Sequence, residues 1–167
     1  MKYRALTAAV GLLTAALAAT PTMAQRAPLG ASEVAKIQAD VKAAAENYVK
    51  IFGQRDLRTI VDKVWAHPAV EITPNGVKLL TPADVEANYT KMFADLAKTQ
   101  YDHSDTKLSV CVLTPAMAVA SGPFKRINKD GSVLLEGSMS YLFTKMSDGW
   151  RITTNLGVQP NKIVNCN

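Results

Sequence analysis

The chain is predicted to fold as an α+β domain. A curved antiparallel sheet should wrap, like a cone, around helices that precede it. Two observations carry this prediction. Apolar residues recur at helical spacing through the first half, from about Val34 to Leu96. Long alternating segments then fill the last third, with Ser132–Lys145 running Ser-Val-Leu-Leu-Glu-Gly-Ser-Met-Ser-Tyr-Leu-Phe-Thr-Lys and Ser147-Asp148-Gly149 turning into a final strand. A sheet bent over helices leaves a hollow between the layers, suited to a small apolar molecule.

The first 24 residues stand outside that fold. Met1-Lys2-Tyr3-Arg4 carries two positive charges, Ala5–Ala19 is uncharged and rich in Ala and Leu, and Thr22-Met23-Ala24 puts small residues where a signal peptidase reads. That is the pattern of a secretory signal, with cleavage expected after Ala24. A membrane span needs about 20 apolar residues, and Pro21 closes this stretch too soon. The expected location is therefore periplasmic or secreted, with no membrane association after cleavage. Residues 25–31 read as a linker, 32–160 as one domain and 161–167 as a tail.

The whole chain carries a net charge of +5, and Lys2 and Arg4 leave with the signal. The remaining positive charges are scattered. A nucleic-acid surface would require a basic stripe with aromatic platforms. The nearest approach is Lys125-Arg126 with Lys129, read as solvated charges at a strand end and hairpin tip. No nucleic-acid partner is expected. Cys111 and Cys166 are the two cysteines. In an oxidising compartment such a pair tends to bond, which would tie the tail to the sheet. Without neighbouring histidines they do not make a zinc site, and no metal is expected.

Along the domain, Ser32 caps a first helix over Glu33–Phe52. Its apolar face is Val34, Ile37, Val41, Ala45, Tyr48, Val49 and Phe52, and Gly53 ends it. Asp56 starts a shorter helix with Leu57, Ile60, Val61, Val64 and Trp65 facing inward, and His67-Pro68 breaks it. Residues 69–73 alternate as a strand, Pro74-Asn75-Gly76 turns, and 77–80 return as its partner. Thr81 caps a third helix with Pro82 in its first turn, and Val85, Tyr89, Met92, Phe93 and Leu96 form its stripe. Strands follow over 107–113, 116–127, 132–146 and 150–158. Gly122-Pro123 should mark a bend, and Asn128-Lys129-Asp130-Gly131 a hairpin turn.

Alternation gives this sheet two faces. Val133, Leu135, Met139, Tyr141 and Phe143 share one, and Glu136, Ser138, Ser140 and Thr144 share the other. The apolar face should meet the helices. The Ser/Thr-rich face suits a second sheet packed against it, so a homodimer is expected.

This layout resembles the nuclear transport factor 2-like superfamily, with its cystatin-like fold, particularly the SnoaL-like and DUF4440-type bacterial branches. The opening helix Glu33–Phe52 and the Gly53-Gln54-Arg55-Asp56-Leu57 segment carry the resemblance. So do the entry from Trp65 to Ile72, the Thr81-Pro82 helix start and the closing Asp148-Gly149-Trp150-Arg151-Ile152. It spans roughly Ser32 to Pro160. The resemblance implies a sheet wrapped on helices, often dimeric, in a family of isomerases, dehydratases, polyketide cyclases and ligand binders. It supports fold more than function.

Chemistry in such a cavity would need a base and a hydrogen-bond donor opposite it. The candidate bases are His67, His103 and Asp105. His103 and Asp105 share a face if that segment is extended, whereas Asp102 and His103 point apart. His67 at a helix end can instead cap the last carbonyls. Glu71 falls on the strand face opposite Val70 and Ile72. Asn155 reaches a cavity only if its strand bulges. Tyr48, Trp65, Tyr89, Phe93, Met139 and Tyr141 are the expected lining of a ligand pocket. Nucleophile elbow, phosphate loop and dinucleotide fingerprint are absent from the sequence, and no cofactor is expected. Three functions follow. The first is an exported protein binding a small apolar or amphipathic molecule. The second is an isomerase, dehydratase or cyclase-type enzyme using a pocket His or Asp as base. The third is a homodimeric interaction module.

Overall fold

The computed structural model describes residues 28–158 and 162–164. The expected signal peptide and residues 25–27 of the expected linker lie outside the described residues. Helix α1 (Ala31–Gln54) buries Ile37, Val41, Ala45, Tyr48, Ile51 and Phe52, the three- and four-residue stripe of an amphipathic helix. It runs past Gly53. Arg55 closes it instead, in the left-handed conformation at φ 57°, with its N–H donating to Phe52 O. Asp56 then caps α2 (Leu57–Thr59), its carboxylate accepting from the Thr59 N–H at 3.0 Å and the Thr59 hydroxyl at 2.6 Å. The chain continues as a π-helical turn over Ile60–Val64, with Ile60 and Val64 buried.

Strand β1 (Trp65–Thr73) begins before His67-Pro68, not after it; that peptide is cis and lies within the strand. β2 (Gly76–Leu80) pairs with it antiparallel, Gly76 turning the chain at φ 130°. α3 (Pro82–Leu96) opens with a capping box, in which Thr81 and Asp84 each accept from the other's backbone N–H. It buries Val85, Tyr89 and Leu96. The segment expected as one strand over 107–113 is preceded by another. These are β3 (Tyr101–Thr106) and β4 (Ser109–Thr114). Then come β5 (Met117–Asn128), β6 (Val133–Met146) and β7 (Gly149–Leu156).

The strands form one seven-stranded sheet in the order β2-β1-β7-β6-β5-β3, with β4 also paired to β5. This corrects the expected cone-shaped antiparallel sheet. β1 and β7 run parallel, so the sheet is mixed, and the path is open, with β2 and β3 as unjoined ends. Hairpin reasoning finds strands that follow one another along the chain. It does not find the β1–β7 pair, which joins the two ends of the domain. The helices were expected inside a wrapped sheet; they pack as a layer on it. The core between the layers includes Val41, Ile60, Val85, Phe143 and Ile152, none more than 1% exposed. Burying such a side chain is worth about 1.5–3 kcal/mol.

The bend expected at Gly122-Pro123 is a change of partner. β5 pairs with β4 up to Ser121 and with β3 from Phe124, while its register to β6 continues through both residues. On the sheet's other face Cys111, Val119, Ser121, Ser140 and Thr154 are buried. Val164 of the tail lies against this band, its N–H donating to Ser121 Oγ at 2.9 Å. The tail therefore occupies part of the Ser-rich surface expected to receive a second copy. The expected Cys111–Cys166 bridge is not among the described contacts: Cys111 is not a free thiol, and Cys166 lies outside the described residues. Among the described residues no helix is long and apolar enough to cross a membrane.

Candidate functional site: an aromatic cavity between helices and sheet

A cavity of about 310 Å³ lies between α1, α3 and the inner face of the sheet. That is the lower end of the usual range for ligand pockets. Its walls come from the inward stripes already named: Tyr48 from α1, Tyr89 from α3, Trp65 from β1, and Met139 and Tyr141 from β6. Phe93, also expected there, is not a wall residue. It backs the wall, its ring 5.3 Å from Phe52 and 5.9 Å from Tyr89.

The polar tips of Tyr48, Tyr89 and Trp65 satisfy one another. Tyr48 and Tyr89 share a hydrogen bond of 2.7 Å between their hydroxyls, and Trp65 Nε1–H donates to Tyr89 Oη at 3.2 Å. Tyr141 stands edge-on to Tyr48 and Trp65, at 5.7 and 6.1 Å between ring centroids. Burial raises the pKa of Tyr48, Tyr89 and Tyr141, because a phenolate would be desolvated there. The three phenols stay neutral and serve as hydrogen-bonding apolar surface.

Three further wall residues change the chemistry. Glu71 of β1 accepts from Asn155 Nδ2 of β7 at 3.1 Å. Asn155 faces inward because β7 carries an extra residue. Ile152 pairs with Phe143 and Thr154 with Leu142, so Thr153 is bulged and Asn155 comes to oppose Tyr141. Arg126 of β5 lays its guanidinium over Phe52, 5.0 Å from the ring centroid, and 5.8 Å from that of Phe124. Its one described hydrogen bond goes from Nη2 to Met92 Sδ at 3.3 Å. A shallower depression adjoins the cavity and shares Glu71, Asn88, Met92 and Arg126 with it, which puts these four at the mouth.

The candidate bases lie elsewhere. The His67 ring meets Val61 O through Nε2 at 2.8 Å, the helix-end capping that its position suggested. His103 stands on exposed β3 between Asp102, at 2.8 Å, and Asp105, at 3.6 Å. No histidine lines the cavity among the described residues, and no group of three metal-ligating side chains occurs among them.

Glu71 and Arg126 were not singled out as wall residues, and Asn155 only on the condition of a bulge, which β7 has. Arg126 was read as a solvated turn charge, although alternation from Ala118 and Ala120 through Phe124 places it on their face. Glu71 was correctly set opposite Val70 and Ile72. However, it is Glu71 that faces inward, with Ile72 exposed.

Comparison with known proteins agrees with this architecture. A family model described as NTF2-like protein (DUF6841) matches residues 35–160. No curated protein matches. Among solved structures, an NTF-2 like protein of unknown function from Shewanella oneidensis is 16% identical. The match covers 71% of this chain and 95% of that one, at a TM-score of 0.57. An NTF2-like protein with a cystatin-like fold from Novosphingobium aromaticivorans is 11% identical, over 75% of this chain and 82% of that one, at 0.60. A ketosteroid isomerase-like protein from Erwinia carotovora atroseptica is 16% identical, over 71% and 92%, at 0.53. At such identities the likeness extends to fold alone. SnoaL-like and DUF4440-type are finer assignments than these matches support. The family model spans most of the described domain, and the chain belongs to the NTF2-like family.

Proposed function

We propose that this chain is an exported protein that binds a compact aromatic or amphipathic molecule in the cavity between α1, α3 and the sheet. The observation that carries this is the wall itself. Aromatic rings enclose about 310 Å³, and the tips of Tyr48, Tyr89 and Trp65 are already partnered, leaving largely apolar surface toward the interior. The N-terminal charge, apolar run and small-residue cut site support export.

The test is native mass spectrometry of protein recovered from the periplasm, followed by titration with 2-naphthol. The expected outcome is a chain beginning at Gln25 that binds 2-naphthol. Met139→Trp, which fills the hollow, should remove that binding while the fold survives. Failure of the wild type to bind any naphthalene probe would overturn the proposal. An isomerase, dehydratase or cyclase-type activity is the alternative. It is favoured by Glu71, a carboxylate fixed by Asn155 at the cavity mouth. Chemical conversion of a bound probe in the same titration would support it.

A further inference from the structure

We propose that the molecule taken up is an aromatic acid, and that Arg126 receives its carboxylate. This rests on the small-molecule-binding function proposed above and names the ligand class. Arg126 makes no ion pair with any described carboxylate, and its only described hydrogen bond is to a thioether sulfur, a weak acceptor. A guanidinium has five N–H donors in a planar fork matched to a carboxylate. Most of that fork is therefore uncommitted, at the mouth of an aromatic cavity. Half-burial between Phe52 and Phe124 fixes its plane before any ligand arrives.

Solvation alone does not explain this placement. Lys125, the neighbour on the opposite face of β5, pairs with Glu136 at 2.6 Å in solvent. Arg126 is turned inward without such a partner. Among the described residues the one carboxylate on the cavity wall is Glu71, and it makes no ion pair with Arg126. Glu71 sits on β1, three strands from β5 with β6 and β7 between, and its described hydrogen bond is from Asn155. The mouth of the cavity thus carries a guanidinium on its β5 side and a carboxylate on its β1 side. A ligand whose carboxylate stays at the mouth meets Arg126, and its ring enters among the aromatic walls.

The experiment compares 2-naphthoate with 2-naphthamide, its neutral analogue, by quenching of tryptophan fluorescence, since Trp65 lines the cavity. Wild type should bind naphthoate roughly ten-fold or more tightly than the amide, as charge-assisted bidentate bonds to Arg require. Arg126→Met keeps the apolar stem against Phe52 and Phe124, and should bring the two probes to equal affinity. If Arg126→Met does not fold, Arg126→Gln serves the same comparison. Equal binding of both probes by wild type, or an acid preference that survives in the variant, would overturn the assignment and leave the binding pocket standing. Binding of neither probe would overturn the pocket as well.

Discussion

Tyr89 is the hub of the buried polar contacts. Its hydroxyl meets both the Tyr48 hydroxyl and the Trp65 indole N–H. Tyr89→Phe deletes that oxygen and leaves two buried polar groups without it, at a cost of about 1–3 kcal/mol. A lower denaturant midpoint with an unchanged slope would register the loss. Tyr101→Phe should cost less, because the Tyr101 hydroxyl reaches only part-buried Ser104. At this scale the sequence was informative about rings and poor about charges. Five of the six aromatic and methionine residues expected at the cavity are in its wall, because each sits on an apolar stripe. Arg126 and Glu71 escaped because a charged residue within a strand reads as solvent-facing. Only the packing of neighbouring strands decides which face turns in.

At the scale of elements, β5 holds the sheet together by serving β4, β3 and β6. The joint where it changes partner requires Gly122. A Cβ there would lie 2.0 Å from the Lys107 backbone carbonyl oxygen. Gly122→Ala should therefore displace the β3–β4 connection and destabilise the fold well beyond the usual 0.5–3 kcal/mol range of point substitutions. Gly137→Ala meets the Phe124 ring instead, a side chain able to move, and should be milder. Thermal melts of the two variants provide the comparison, and equal losses would refute the backbone clash. The helices were legible from their spacing, apart from an early stop assigned to Gly53 and a helix break assigned to His67-Pro68. The sheet was legible as strands but not as an order. Turn chemistry specifies sequential neighbours, whereas the parallel β1–β7 contact depends on how helices return the chain.

For the molecule as a whole, the neutral tyrosine cluster sets an alkaline limit. Tyr48, Tyr89 and Tyr141 have folded-state pKa values above the ordinary phenol value of about 10. The stability this linkage supplies is complete below the unfolded pKa. It declines as pH rises through the folded values, since the unfolded chain releases those protons first. Unfolding should therefore begin above about pH 10. The tyrosinate absorbance of these three residues should appear together with the loss of circular dichroism. Ionisation of every tyrosine in a chain that keeps its native spectrum would contradict the buried cluster.

The extra residue at Thr153 also bears on how this chain is matched to others. Downstream of it, odd and even positions exchange sides, so Asn155 looks toward the hollow rather than away. A relative whose final strand lacks that insertion must be aligned with a one-position gap at 153. Otherwise its inward-pointing letters will be set against this chain's outward ones. Specificity inferred from such columns would then describe the wrong side of the strand.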